Sequence, residues 1–514
     1  MFLGKINSFF MNCIYGIFGL LFLLILCILI FIDKSVEYYH SNAVEMTNLS
    51  LLVGVIVFIA SYIFYVSRFQ FKDRFQIKKV FLILSAVLFI LQLFLVLNIA
   101  FRAGWDVGVI NRNSNILVAD LDLNFSMNYF QRYSNNVFML FIYTIFKRMG
   151  LFLSLPGFGL LILMGILLTN ITVLLTSLIA YRLTDNKQIT MLTYVIAALL
   201  FGLSPWITVP YSDVYSVLFP VLTLFVYVYL KDSRHSDLRW FLVFLIPILG
   251  YLIKPQNVII LIAIIITELL NLKKYKISVR NIAVLLLIVG VSFGSMQSLK
   301  LVSIRSTGVY PNDELRYPMI HWAMMGLNER TNGVFAREDP EFTSSFPGIE
   351  AKKEQNMLEI KHRLSKMGKT GFMKHMTRKT LTNYNDGTFA WGKEGNFYAH
   401  LFREPIPVVS SFMRSLYYNE GSLHRYFATF QQWIWMMVLV LGFISCLIKS
   451  KLVDKKVELN VLLSIIGVTL FSTIFEARAR YLFLYAPFYV LCAMIGLYKL
   501  QHKINRRFFN KGGF

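Results

Sequence analysis

Four short polar clusters stand at the ends of long apolar runs, and each carries a group able to move a proton or hold an anion. The first is Gly104-Trp105-Asp106-Val107-Gly108, a carboxylate flanked by glycines where an apolar run ends. Desolvation at such a position raises the basicity of a carboxylate, which suits a general base. The second is Pro210-Tyr211-Ser212-Asp213 and the third is Lys254-Pro255-Gln256-Asn257, a cation in a tight turn. The fourth, Glu476-Ala477-Arg478-Ala479-Arg480-Tyr481, is squeezed between two apolar runs. Ionisable groups at the edge of hydrocarbon are costly unless they are paired or used, so several of them point to a shared cavity.

One carboxylate with Lys254, Arg478 and Arg480 nearby suits sugar transfer from a lipid-linked phosphate. The carboxylate takes the proton of an acceptor hydroxyl as it attacks the anomeric carbon. The cations stabilise the departing phosphate, which stays attached to its lipid. Plainer readings stand beside these: Asp213 caps the helix that starts at Val214, and Lys254 and Arg480 reach up to lipid headgroups. Asp120 and Asp122 have the D-x-D spacing that can hold a divalent cation through oxygen, although a solvated loop explains the pair as well. No other cofactor is called for. His321, beside aromatics in Pro318-Met319-Ile320-His321-Trp322, reads more readily as structural than as a member of a sugar pocket.

The elements that must position these residues are membrane helices. The chain has 514 residues, of which 56% are hydrophobic and only 15% charged; its mean hydropathy is +0.59. That leaves too little polar surface for a soluble domain. The net charge of +23 is spread in short basic clusters between apolar runs, a topology signal and not a nucleic-acid surface. Cys13, Cys27, Cys446 and Cys492 all fall within apolar runs and form no disulfide or zinc pattern.

Runs near span length occur at about 9–32, 49–67, 80–100, 157–181, 190–208, 212–230, 239–253, 256–271, 281–299, 431–448, 458–475 and 481–499. The basic loops can share the cytoplasmic side only if one further stretch, Val137 to Phe146, does not cross. At about ten residues it suits a re-entrant or interfacial helix. The expected fold is therefore an all-α polytopic bundle of about twelve spans, with both termini cytoplasmic and the polar clusters external. It divides into an N-terminal hairpin (1–67), a core (68–299) with an external loop at 101–156, and a large external region of mixed or helical structure (300–430). The last part is a C-terminal set of spans with a basic tail (431–514). Within the external region, Ile349 to Met367 has helical periodicity among lysines, fit for the outer leaflet or an anionic polymer, or for packing on its own domain.

The order of an acidic first external loop, a juxtamembrane helix, a many-helix bundle and a second external region resembles the GT-C superfamily of membrane glycosyltransferases. That superfamily includes protein O-mannosyltransferases and lipid A aminoarabinose transferases. The stretches Phe130 to Asn136, Pro210 to Asp213 and Asn385-Asp386-Gly387-Thr388-Phe389-Ala390-Trp391-Gly392-Lys393-Glu394-Gly395 are similar to those of a Gram-positive branch. The Lys-Pro-Pro stretch of aminoarabinose transferases is absent, and Val107 replaces the second acid of mannosyltransferases.

The resemblance implies a polyprenyl-phosphate monosaccharide donor and a glycan or glycoconjugate acceptor, such as wall polysaccharide or teichoic acid. It implies Asp106 as base, donor phosphate near Lys254 or Arg480, and Asp386 and Glu394 in a sugar or acceptor pocket with Tyr211 and Asp213. The alternative is a transporter or flippase of lipid-linked precursors, a class that usually shows inverted repeats and polar residues at the membrane midplane.

Overall fold

The computed structural model describes residues 2–33, 44, 46–68, 76–120, 125–231, 236–271 and 278–509. The chain is a multi-pass, all-helical membrane protein. Among the described residues, nine helices are long and apolar enough to cross a membrane. Eight of them coincide with runs expected from the sequence, from Phe9–Phe31 to Lys455–Ile474.

The other four expected spans form helices that fall outside those limits for two reasons. Lys187–Ala197, Ser236–Tyr251 and Ile259–Leu269 are short, and a helix rises only about 1.5 Å per residue. They are continued by wide or tight turns at Ala198–Gly202 and Pro255–Val258. Their polar ends are consequently sunk into the bundle: Tyr211 and Lys254 are buried. The fourth, Ala486–Ile504, carries polar residues such as Lys499 but is buried over nearly its whole length. It packs most extensively on His424–Leu447, so closely that a methyl group at Gly496 would strike the carbonyl of Leu441. This pair is the axis of the bundle.

The ninth candidate span is Ser134–Leu153, whose helix Val137–Leu153 is 17 residues long and not about ten. Its contacts nevertheless lie at one end of the bundle. The Asn136 side chain reaches Tyr129 and Tyr211, and Tyr143 donates to the carbonyl of Pro210 at 2.6 Å. Lys147 donates to the carbonyl of Asn111 at 2.6 Å and packs against Gly157, where the next span begins. These polar contacts of the helix gather toward the end that carries Asp106.

That end, called here the aspartate end, is roofed by residues 308–423. The helix expected over Ile349 to Met367 runs from Gly348 to Tyr384, with a break at Gly368. The roof is fastened to the bundle where the Lys379 side chain donates to the carbonyl of Phe475 at 2.6 Å and the Ala477 amide donates to the carbonyl of Gly333 at 2.7 Å. Two two-residue strands, Phe101–Arg102 and His400–Leu401, pair antiparallel and join the first loop to the roof. The N-terminal hairpin is integrated too, since Asn48 donates to Asn385 Oδ1 at 2.7 Å.

Candidate active site

Asp106 is the first residue of the helix Asp106–Ala119, set just after the Phe101–Arg102 strand. Gly104 is what lets this turn press against the roof. Its amide donates to the carbonyl of Asn396 at 3.0 Å, and a Cβ there would lie 2.3 Å from the Asn396 amide nitrogen. Trp105 is then clamped against Tyr211 and Phe397.

The partly buried Asp106 carboxylate is held asymmetrically. Oδ1 accepts a hydrogen bond from the Tyr129 hydroxyl at 2.7 Å, and that hydroxyl in turn accepts from Asn136 at 2.7 Å. Oδ2 faces the Tyr211 hydroxyl at 3.2 Å, whose one proton is also offered to Asn136 Oδ1 at 3.1 Å. A hydroxyl has a single proton to give, so Oδ2 is the less satisfied oxygen and the better proton acceptor. Burial pushes the Asp106 carboxyl above its ordinary value, against the pull of Tyr129 and Arg480, and the charge of Glu394 adds to the rise.

The four polar clusters meet here. Arg480 stacks on Trp105, with its guanidinium carbon 4.7 Å from the ring centre. Its Nη1 donates to Asp213 Oδ2 at 3.2 Å, and its Nε lies 3.1 Å from Glu394 Oε1. Lys254 pairs with Asp213 Oδ1 and sits over the Tyr481 ring at 4.5 Å. Arg478 pairs with Glu394 at 3.3 Å and Glu476 at 3.0 Å. Burial pushes the Glu476 carboxyl up, but Arg478, the Tyr481 hydroxyl and Arg480 outweigh it and hold the group below its usual range.

Several expectations are corrected by this geometry. Asp213 does not cap its helix, because Ser212–Ser216 begins after Tyr211 with no side-chain cap; it bridges Lys254 and Arg480. Lys254 and Arg480 do not reach for headgroups, being turned inward and buried. Nor are the three cations bare: each is ion-paired to a carboxylate of the chain.

Asp386 stands apart from the cluster. Its Oδ1 accepts from the Thr388 amide and hydroxyl at 2.9 and 2.6 Å, and its Oδ2 from the Ala390 amide at 3.0 Å. Lys393 lies 3.1 Å away. Burial raises this carboxyl, but Lys393 and Thr388 more than offset the effect and lower it. The bonds hold Phe389 and Ala390 in the left-handed region, at φ 57° and 58°, a conformation costly for residues with side chains. Asp386 therefore shapes the turn that delivers Glu394.

His321 is likewise structural. It is fully buried, stacked on Tyr317, with Nδ1 2.7 Å from the Thr343 hydroxyl. Burial lowers its pKa to about 4, so it is neutral. Asp120 is exposed at the left-handed end of its helix, and Asp122 lies outside the described residues. Among the described residues no group of three or more His, Cys, Asp or Glu side chains is arranged to hold a metal ion.

Sequence reading gave Tyr129 and Asn136 no role, although both help hold the carboxylate. Asn136 closes the polar Phe130 to Asn136 stretch, and Tyr129 immediately precedes it. No curated protein and no solved structure matches the chain. A family described as "conserved hypothetical integral membrane protein" matches residues 4–499. Since that is nearly the whole length, the chain belongs to this family of integral membrane proteins.

Proposed function

We propose that the protein is a membrane glycosyltransferase that moves a monosaccharide from a polyprenyl-phosphate carrier to an acceptor hydroxyl at the aspartate end, on the external face. The observation that carries this reading is the meeting of a burial-raised, half-satisfied carboxylate with a set of oriented cations in one buried cluster. The acceptor oxygen forms a bond to the anomeric carbon while Asp106 Oδ2 takes its proton. The bond from the anomeric carbon to the phosphate oxygen breaks, and its electron pair leaves on the lipid phosphate.

Arg480 and Lys254 commit only some of their donors to Asp213 and Glu394, and the rest are available to the departing oxygen. Because both cations are already oriented, they need little reorganisation as charge develops. Asp213, Glu394 and Glu476 pair with the three cations of this cluster, and Asp106 lies beside them, bonded to Tyr129 and Tyr211. That balance leaves no surplus positive charge for a diphosphate, and a phosphodiester brings only one negative charge to it. The grouping of polar residues at one end, and not along a midplane path, also favours an enzyme over a transporter.

The test is Asp106→Asn in the full-length protein, reconstituted with polyprenyl-phosphate sugars and a glycan acceptor. Transfer is expected to fall by about 10²-fold or more, with donor-lipid binding retained. Undiminished turnover would remove Asp106 from the chemistry and this reading with it.

A further inference from the structure

One side chain away from Asp106 lies a second chemical environment. A cavity of about 540 Å³ opens at the aspartate end, lined in part by Tyr129, Arg132, Tyr133, Tyr317, Arg337 and Glu341. Its volume is in the range of small-ligand sites. Tyr129 is shared: its ring lines the cavity and its hydroxyl binds Asp106. The walls come from the first loop and from the roof, which are joined where Tyr317 donates its amide to the carbonyl of Arg132. The opening thus lies among the loop and roof elements, where a water-soluble chain can enter.

The lining is aromatic and positively charged. Tyr133 packs against Tyr129 and Tyr317 with ring centres 5.1 and 5.2 Å apart, which offers flat apolar faces with hydroxyls at their rims. Arg337 is neutralised by Glu341 at 2.8 Å. Arg132 has no carboxylate at ion-pair distance among the described residues. A second cation stands behind it: buried Lys352 is held by the carbonyl of Glu314. Burial lowers the Lys352 pKa, Glu314 opposes the fall, and the like charge of Arg132 adds to it. Among the described residues one guanidinium is therefore left without a carboxylate partner, in a cavity that shares Tyr129 with the base.

We infer that this cavity is the acceptor subsite and that it selects an acceptor carrying an anionic group, which Arg132 pairs while a hydroxyl nearby is presented to Asp106. The inference rests on the glycosyl-transfer reading for the word acceptor, but the anion preference is readable without any transfer. Phosphate and carboxylate are the two sources of such charge. A planar guanidinium binds either in bidentate fashion.

The experiment is calorimetric titration of the full-length protein in nanodiscs, without donor, against three probes: a short glycerol phosphate oligomer, an oligogalacturonate and neutral maltohexaose. At least one anionic oligomer is expected to bind about tenfold or more tighter than the neutral one, and which one identifies the anion. Arg132→Gln should remove that preference and Arg132→Lys should keep part of it. Lys361→Gln with Lys374→Gln, on the exposed face of the long basic helix, should leave it unchanged. The inference is overturned if no anionic oligomer binds, if the neutral oligomer binds as tightly, or if Arg132→Gln has no effect. It also fails if the paired lysine changes abolish binding. Asp106→Asn should bind normally and not transfer. Normal transfer by that variant alongside Arg132-dependent binding would retire the transferase reading while the anion preference stood.

Discussion

At the scale of single residues, the unequal treatment of the two Asp106 oxygens has a consequence for pH. A base must be ionised to work, so activity rises with pH through the pKa of the carboxyl, here above the usual aspartate value. The Tyr129 hydrogen bond stabilises the ionised form and lowers that pKa. Tyr129→Phe is therefore expected to move the acid limb of kcat/KM toward higher pH, which a pH–rate profile of the reconstituted protein checks. An unmoved limb would mean that Asp106 is not the titrating base. Asp106, Lys254 and Arg480 were legible in the sequence because an ionisable group beside an apolar run is conspicuous. What each one touches was not. Arg480 meets Asp213 from 267 positions away, and no local spacing encodes that meeting.

At the scale of elements, the short helices and the roof do the positioning. The spans could be read from hydrophobic runs because lipid imposes length and composition on them. The turn at Asn385 to Gly395 and the packing of the roof could not, since their form depends on contacts with distant segments. Gly387 shows this well: a Cβ there would sit 2.3 Å from the carbonyl of Gln431, a constraint imposed by a helix that starts at His424.

The roof also carries a pH liability in His321. Its folded-state pKa of about 4 lies below the ordinary 6.5, so the unfolded chain binds the extra proton first. Stability is full above about pH 6.5 and is lost as the pH falls toward 4, by about 3 kcal/mol for a shift of this size. Thermal unfolding of detergent-solubilised protein should accordingly show a larger drop between pH 7 and pH 4.5 in the wild type than in His321→Gln. The variant is also expected to be less stable at pH 7, having lost the stack on Tyr317.

At the scale of the whole molecule, sidedness organises everything. In the proposed orientation the basic loops are cytoplasmic, the aspartate end is external and the helix Val137–Leu153 lies on that external side without crossing. A cysteine replacing Phe141 in a chain lacking its four native cysteines should react with impermeant thiol reagents applied outside intact cells. In inverted vesicles, where only the cytoplasmic face is presented, it should not react. Labelling in the inverted vesicles would reverse the orientation and move the proposed chemistry to the other face.

The cluster joins Asp106 to Arg480, far apart along the chain, with Asp213, Lys254 and Glu394 spread between them. A ribosome still translating this message thus carries a polypeptide that already holds the proposed base yet has no partner for Asp213 beyond Lys254. During co-translational insertion the nascent protein would be inert toward donor lipid until Arg480 has been inserted. Competence would then arrive in one step, when the segment Glu476 to Tyr481 takes its place in the bundle.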